Sequence, residues 1–132
     1  MAAEVEHRKD PTMAEVAVVA CAADECVVVT LSGEIDVACA EEVTSALVEA
    51  AATEPAPRWL CCDLSAVTFF DSTGLSALVT ARQACEARSI QMAVIGATGS
   101  VARVLQLTAL DTVFGQYPTL DEFAAAVLQR KD

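Results

Sequence analysis

The chain has 132 residues, of which 55% are hydrophobic and 20% charged. That length and hydrophobicity fit one folded domain with a sizeable core and exclude a chain disordered throughout. Nineteen acidic against eight basic residues give a net charge of -11, which repels phosphate backbones and anionic lipid surfaces, so neither nucleic acid nor membrane is an expected partner.

Residues 1–13 are polar, end near Asp10-Pro11, and read as a flexible tail. They lack the apolar stretch of a signal peptide. The longest near-apolar run, Val16 to Ala23, is far shorter than the roughly 20 residues a membrane span needs. The expected location is therefore the cytoplasm, and residues 14–130 read as a single domain. Val16 to Cys21 predicts a strand, Ala23 to Glu25 a turn, and Cys26 to Leu31 a second strand rich in β-branched residues. Gly33 punctuates the exit. Cys39 to Thr53 predicts a helix with Val43, Leu47 and Ala50 on one face, stopped by Pro55 and Pro57.

Arg58 to Leu64 is apolar on both faces, as a central strand covered on two sides would be. Ser65 to Asp71 reads as a loop and Ser72 to Arg88 as a helix. Ile90 to Ile95 predicts a strand, Gly96 to Ser100 a loop, Val101 to Leu107 a short helix, and Val113 to Tyr117 a short strand. Pro118-Thr119 opens a terminal helix whose Leu120, Phe123, Ala124, Val127 and Leu128 follow helical spacing. The order β-β-α-β-α-β-α-β-α predicts an α/β fold: a mixed sheet with four helices packed on it.

Several segments bear on chemistry. Asp71-Ser72-Thr73-Gly74 opens a helix, where Asp71 or Ser72 would accept bonds from free amides. Ser72 is also a candidate hydroxyl for modification, and Gly74 a place for close approach. Gly33-Glu34-Ile35-Asp36 puts two acids at a strand exit, in a solvated turn or as a carboxylate pair. Gly96-Ala-Thr-Gly99 mimics a dinucleotide loop, but too little chain follows it for the further βα units such a site needs, so an ordinary turn is the better reading. The cysteines at 21, 26, 39, 61, 62 and 85 form no CxxC pair, and His7 is the sole histidine. No metal site is implied. The thiols read as reduced core hydrophobes, with Cys39 and Cys85 kept open as exposed redox thiols.

Leu31-Ser-Gly-Glu-Ile-Asp36 and Asp63-Leu-Ser-Ala-Val-Thr-Phe-Phe-Asp-Ser-Thr-Gly-Leu75 together resemble the anti-sigma factor antagonists, which are STAS domains. The resemblance runs from about Ala14 to Leu128 and implies the STAS fold and a protein-binding switch with no catalytic residue and no cofactor. It implies as partners an anti-sigma factor serine kinase and a serine phosphatase of the metal-dependent type. Phosphorylation would fall on Ser72, directly after the motif's aspartate. Asp36, Asp71, Ser72, Thr73, Gly74 and Leu75 would form the partner-binding surface. The other readings are an unphosphorylated STAS scaffold subunit of a signalling or lipid-transport complex, and a small nucleotide-binding or redox enzyme.

Overall fold

The structure is a computed structural model that describes residues 15–21 and 26–128. The predicted tail and the turn at Ala23–Glu25 lie outside the described residues. Strand β1 (Glu15–Cys21) is followed by β2 (Cys26–Ile35), a 3-10 turn (Val37–Cys39) and helix α1 (Ala40–Ala51). Then come β3 (Trp59–Phe70), α2 (Ser72–Glu86), β4 (Gln91–Ile95) and α3 (Gly99–Leu107). A 3-10 turn (Leu110–Thr112), β5 (Gly115–Tyr117) and α4 (Leu120–Phe123) complete the order, and α4 continues as a π-helical turn (Ala124–Leu128). The predicted succession of elements is the observed one.

The strands stand in the sheet in chain order, β1-β2-β3-β4-β5. Strand β1 runs antiparallel to β2, and every later pair is parallel. Parallel neighbours need helical crossovers, and α1, α2 and α3 supply them on one face. There Val29, Leu31, Leu60, Cys62, Leu64 and Val94 pack with Val43 and Leu47 of α1, Leu78 and Ala81 of α2, and Val101 and Leu105 of α3. The other face carries a smaller core of Cys26, Val28, Trp59, Cys61, Ala93 and Ile95 under Phe123 of α4. The Phe123 ring meets Trp59 edge-on at 5.2 Å and Tyr117 at 5.3 Å. Strand β3 is thus buried on both faces at its start, as its unbroken apolar run predicted.

The largest departures from the sequence reading are at the ends of β2 and β3. Strand β2 extends past Leu31 to Ile35, and the predicted loop at Ser65–Asp71 is a continuation of β3 to Phe70. The two extensions pair with each other, Ser32 with Ala66, Glu34 with Phe69 and Ile35 with Phe70, across register shifts between Thr30 and Ser32 and between Gly33 and Glu34. Ser65, Ala66, Thr68 and Phe69 are exposed, so this stretch has no buried alternation for a sequence reading to detect. Main-chain hydrogen bonding holds it extended. The terminal helix reaches Leu128 as its periodicity predicted, but only its first turn is α-helical: Thr119 caps it, its Oγ1 accepting from the Glu122 N–H at 3.0 Å, and after Phe123 the turn widens.

Two contacts seat helices α1 and α2. Arg88, just beyond α2, donates from Nη1 to the carbonyls of Ala51 at 2.7 Å and Thr53 at 3.0 Å, and from Nη2 to Glu54 at 2.7 Å. It satisfies carbonyls that the end of α1 leaves open. Within α2, a Cβ placed on Gly74 would stand 2.6 Å from Cε1 and 2.9 Å from Cδ1 of Phe70. Gly74 therefore lets a buried ring lie against helix backbone.

Replacing Arg88 by Ala should lower unfolding free energy by about 1.5–3 kcal/mol, the range for hydrogen bonds to a charged group, read by urea denaturation. Gly74→Ala gains up to about 1 kcal/mol of helix propensity but overpacks Phe70 at a cost of about 1–3 kcal/mol. The same measurement should show net destabilisation, and a more stable variant would refute the packing role.

Candidate functional site

Parallel pairing of Ile35 with Phe70 brings the ends of β2 and β3 side by side. The next residue on each chain segment is an aspartate, Asp36 and Asp71. Both have extended backbones, with φ -137° and ψ -168° at Asp36, and φ -125° and ψ -162° at Asp71. Each carboxylate turns back to cap the helical turn that follows. Asp36 Oδ1 accepts from the Ala38 N–H at 3.0 Å, and Asp71 Oδ1 from the Thr73 N–H at 3.0 Å. Such a ring leaves its middle residue at an apex. The apices here are Val37 and Ser72, and both are exposed.

Ser72 is the first residue of α2, and its hydroxyl makes no hydrogen bond among the described residues. Thr73 differs: it is half-buried, and its Oγ1 donates to Asp71 Oδ1 at 2.6 Å. This bond, with smaller help from the helix amides, holds the Asp71 carboxyl below the ordinary value of 3.8. Asp71 is therefore ionised at neutral pH.

The structure brings Asp36, Asp71, Ser72 and Thr73 to one end of the sheet. Leu75 is half-buried and packs against the main core. Gly74, expected on the same outward surface, is buried beneath Phe70, so its contribution is internal. Two exposed apolar residues that the expected partner-binding set did not include join this surface. Val37 is 76% exposed and Phe69 is 46% exposed, between and beside the two acids. Adjacent Phe69 and Phe70 on one strand face opposite ways, and here Phe70 is buried while Phe69 is exposed.

The charge of this end is negative. Asp36 and Asp71 are joined by half-buried Glu34 and by exposed Glu41 and Glu42 in the first turn of α1. Arg58 enters β3, and Arg82 and Arg88 lie on or beyond the last turns of α2, at the opposite end of the sheet. Arg82 pairs there with Glu86 at 2.9 Å.

The other candidates resolve differently. Gly96 adopts φ +72°, and a Cβ on it would stand 2.7 Å from that of Ser65, so its loop is fitted to β3. Glu34 lies within the extended β2 rather than in a solvated turn. Cys39 and Cys85 are not exposed, at 9% and 0% relative accessibility. Burial raises the Cys39 thiol and pushes Cys85 up to about 11 and Cys61 to about 12, away from reactive thiolate. Cys39 donates instead to the carbonyls of Asp36 at 3.4 Å and Glu34 at 3.6 Å, underpinning the β2 exit. Cys39, Cys61, Cys62 and Cys85 are free and buried, as core thiols would be. Cys26 is disulfide-bonded, so the expectation of reduced thiols throughout does not hold. Among the described residues no group of three His, Cys, Asp or Glu is placed to hold a metal, and no helix is long and apolar enough to cross a membrane.

Comparison with known proteins places this arrangement. A search of curated protein sequences gives no match. Among solved structures, an anti-sigma factor antagonist from Mycobacterium paratuberculosis is 32% identical with a TM-score of 0.77, covering 91% of this chain and 98% of that one. The Bacillus cell fate determinant SpoIIAA in its phosphorylated form is 19% identical with a TM-score of 0.66, covering 86% and 99%. The murine anion transporter Slc26a9 matches at 16% identity and a TM-score of 0.70, covering 88% of this chain and 23% of its own. The last two share the fold alone. The STAS domain model matches residues 17–123, and with the same strand and helix order around the capped end of β3, the chain belongs to the STAS domain family.

Proposed function

We propose that this protein is an anti-sigma factor antagonist. It binds an anti-sigma factor that is itself a serine kinase, thereby frees a sigma factor, and is switched off when that kinase phosphorylates Ser72. The observation that carries this reading is the unbonded, exposed Ser72 hydroxyl at the apex of the Asp71 ring, in a chain 32% identical to an anti-sigma factor antagonist. The SpoIIAA fold, which this chain shares, is known in unphosphorylated and phosphorylated forms.

The docking surface consists of the β2 and β3 exits with the start of α2. Val37 and Phe69 offer apolar contact, and Asp36 and Asp71 select a cationic rim on the partner. In the switching step the γ-phosphoryl group passes from ATP, bound by the kinase, to Ser72 Oγ. The bond to ADP breaks, the new O–P bond forms, and the hydroxyl proton leaves to a base of the kinase. The product adds about -1.5 to -2 charges at neutral pH. Beside ionised Asp71 it opposes docking by bulk and like charge. A penalty of about 3 kcal/mol would weaken binding roughly a hundredfold, and no refolding is required. A serine phosphatase of the metal-dependent type would restore the hydroxyl. On this reading the chain works in the cytoplasm by binding, and its own residues catalyse nothing.

Peptide mapping of the protein isolated from its own host should find phosphate on the peptide containing Ser72. With the serine kinase recovered from that host, Ser72→Ala should bind but take no label, and Ser72→Asp should bind roughly a hundredfold more weakly. Equal binding by the wild type and both variants would sink the switch. A large assembly unaffected by phosphatase would favour the scaffold reading instead.

A further inference from the structure

Three aspartate rings occur among the described residues, and they are not alike. In Asp36-Val37-Ala38 the carboxylate accepts one bond, from the backbone N–H at 3.0 Å. In Asp63-Leu64-Ser65 and Asp71-Ser72-Thr73 it accepts two, from the N–H at 3.0 Å and from the hydroxyl of the same residue, at 2.7 Å for Ser65 and 2.6 Å for Thr73. The Asp36 ring shows that the backbone bond alone makes the cap. The Thr73 hydroxyl is therefore surplus to capping. Its effect is local: it commits its own proton to Asp71 and occupies the Asp71 oxygen that faces the turn.

We propose that Thr73 is a specificity-determining and positioning residue of this site, and that its bond to Asp71 makes Ser72 the sole phosphate acceptor. The inference rests on the proposed function. The argument has two parts. A nucleophile must present its oxygen to the phosphoryl group and release its proton to a base of the kinase. Thr73 Oγ1 is half-buried and its O–H is directed at Asp71 Oδ1, so its oxygen is turned into the turn rather than presented to a phosphoryl group. Ser72 Oγ is exposed one residue away with no competing partner. Were the Thr73 hydroxyl absent, Asp71 would keep only the backbone bond and would hold the turn that carries Ser72 less firmly. Thr73 thus turns its own oxygen inward and positions its neighbour by one hydrogen bond.

The test uses the full chain, ATP and the serine kinase recovered from its host, with Thr73→Val, Thr73→Ser and Ser72→Ala. Val keeps the β-branched shape and the backbone N–H but removes the hydroxyl. Thr73→Val should slow labelling of Ser72 roughly tenfold, the scale of one hydrogen bond's net worth, and Thr73→Ser should restore it. Ser72→Ala should carry no phosphate on Thr73. Carboxyl NMR titration supplies a readout independent of the kinase. The Asp71 pKa lies below 3.8 in the wild type and should rise towards the ordinary value in Thr73→Val. Because that pKa is depressed by folding, the stability it confers is present above pH ~4 and is lost as the pH falls through the folded value. The stability gap between wild type and Thr73→Val should close over the same range. Phosphate on Thr73 in Ser72→Ala, wild-type labelling of Thr73→Val, failure of the Ser rescue, or an unmoved Asp71 titration would each overturn the inference while leaving Ser72 phosphorylation standing. A wild type that takes no phosphate from the kinase would overturn the proposed function and this inference together.

Discussion

The parallel pairing of β2 with β3 beyond the hydrophobic core is the constraint on which the rest depends. Over Cys26–Thr30 and Trp59–Asp63 that pairing is buried on both faces and fixed by side-chain packing. Over Ser32–Ile35 and Ala66–Phe70 much of it is exposed, and main-chain bonds carry it through two register shifts. The reward is positional. Ile35 and Phe70 are buried and paired, so the two aspartates after them emerge as neighbours, each capping its own helical turn. A slip of one residue in either strand would turn its side chains to the opposite face.

The same end of the sheet is anchored from beneath. Phe70 and Ile35 are core residues. Gly74 admits the Phe70 ring to the backbone of α2, which seats the helix start low against the strand exit. Cys39 ties the β2 exit by its thiol to two carbonyls. The apex residues Val37 and Ser72 thus stand directly above strand ends seated in the core.

Electrostatics is arranged along the sheet. Carboxylates gather where β2 and β3 end, and the arginines of β3 and α2 stand at the other end, two of them in ion pairs with Glu54 and Glu86. For a chain of net charge -11, such an end attracts cationic groups and repels polyanions.

Composition, periodicity and β-branched runs were enough to specify the element order, the mixed sheet, the double burial of β3 and the helix start at Ser72. Each of these is set by local propensity or by a face that must be buried. The capped helix start within Asp-Ser-Thr-Gly was legible because capping is also a local property. The extension of β2 and β3, the adjacency of Asp36 and Asp71, the burial of Gly74 and Cys39, and the exposure of Val37 were decided by tertiary structure. All rest on contacts between segments more than thirty residues apart or on packing depth, and an exposed, main-chain-bonded strand leaves no period in the sequence. The division between Ser72 and Thr73 belongs to the same class: two adjacent hydroxyls look alike on paper, and only the fold of the turn gives one of them to Asp71 and leaves the other free.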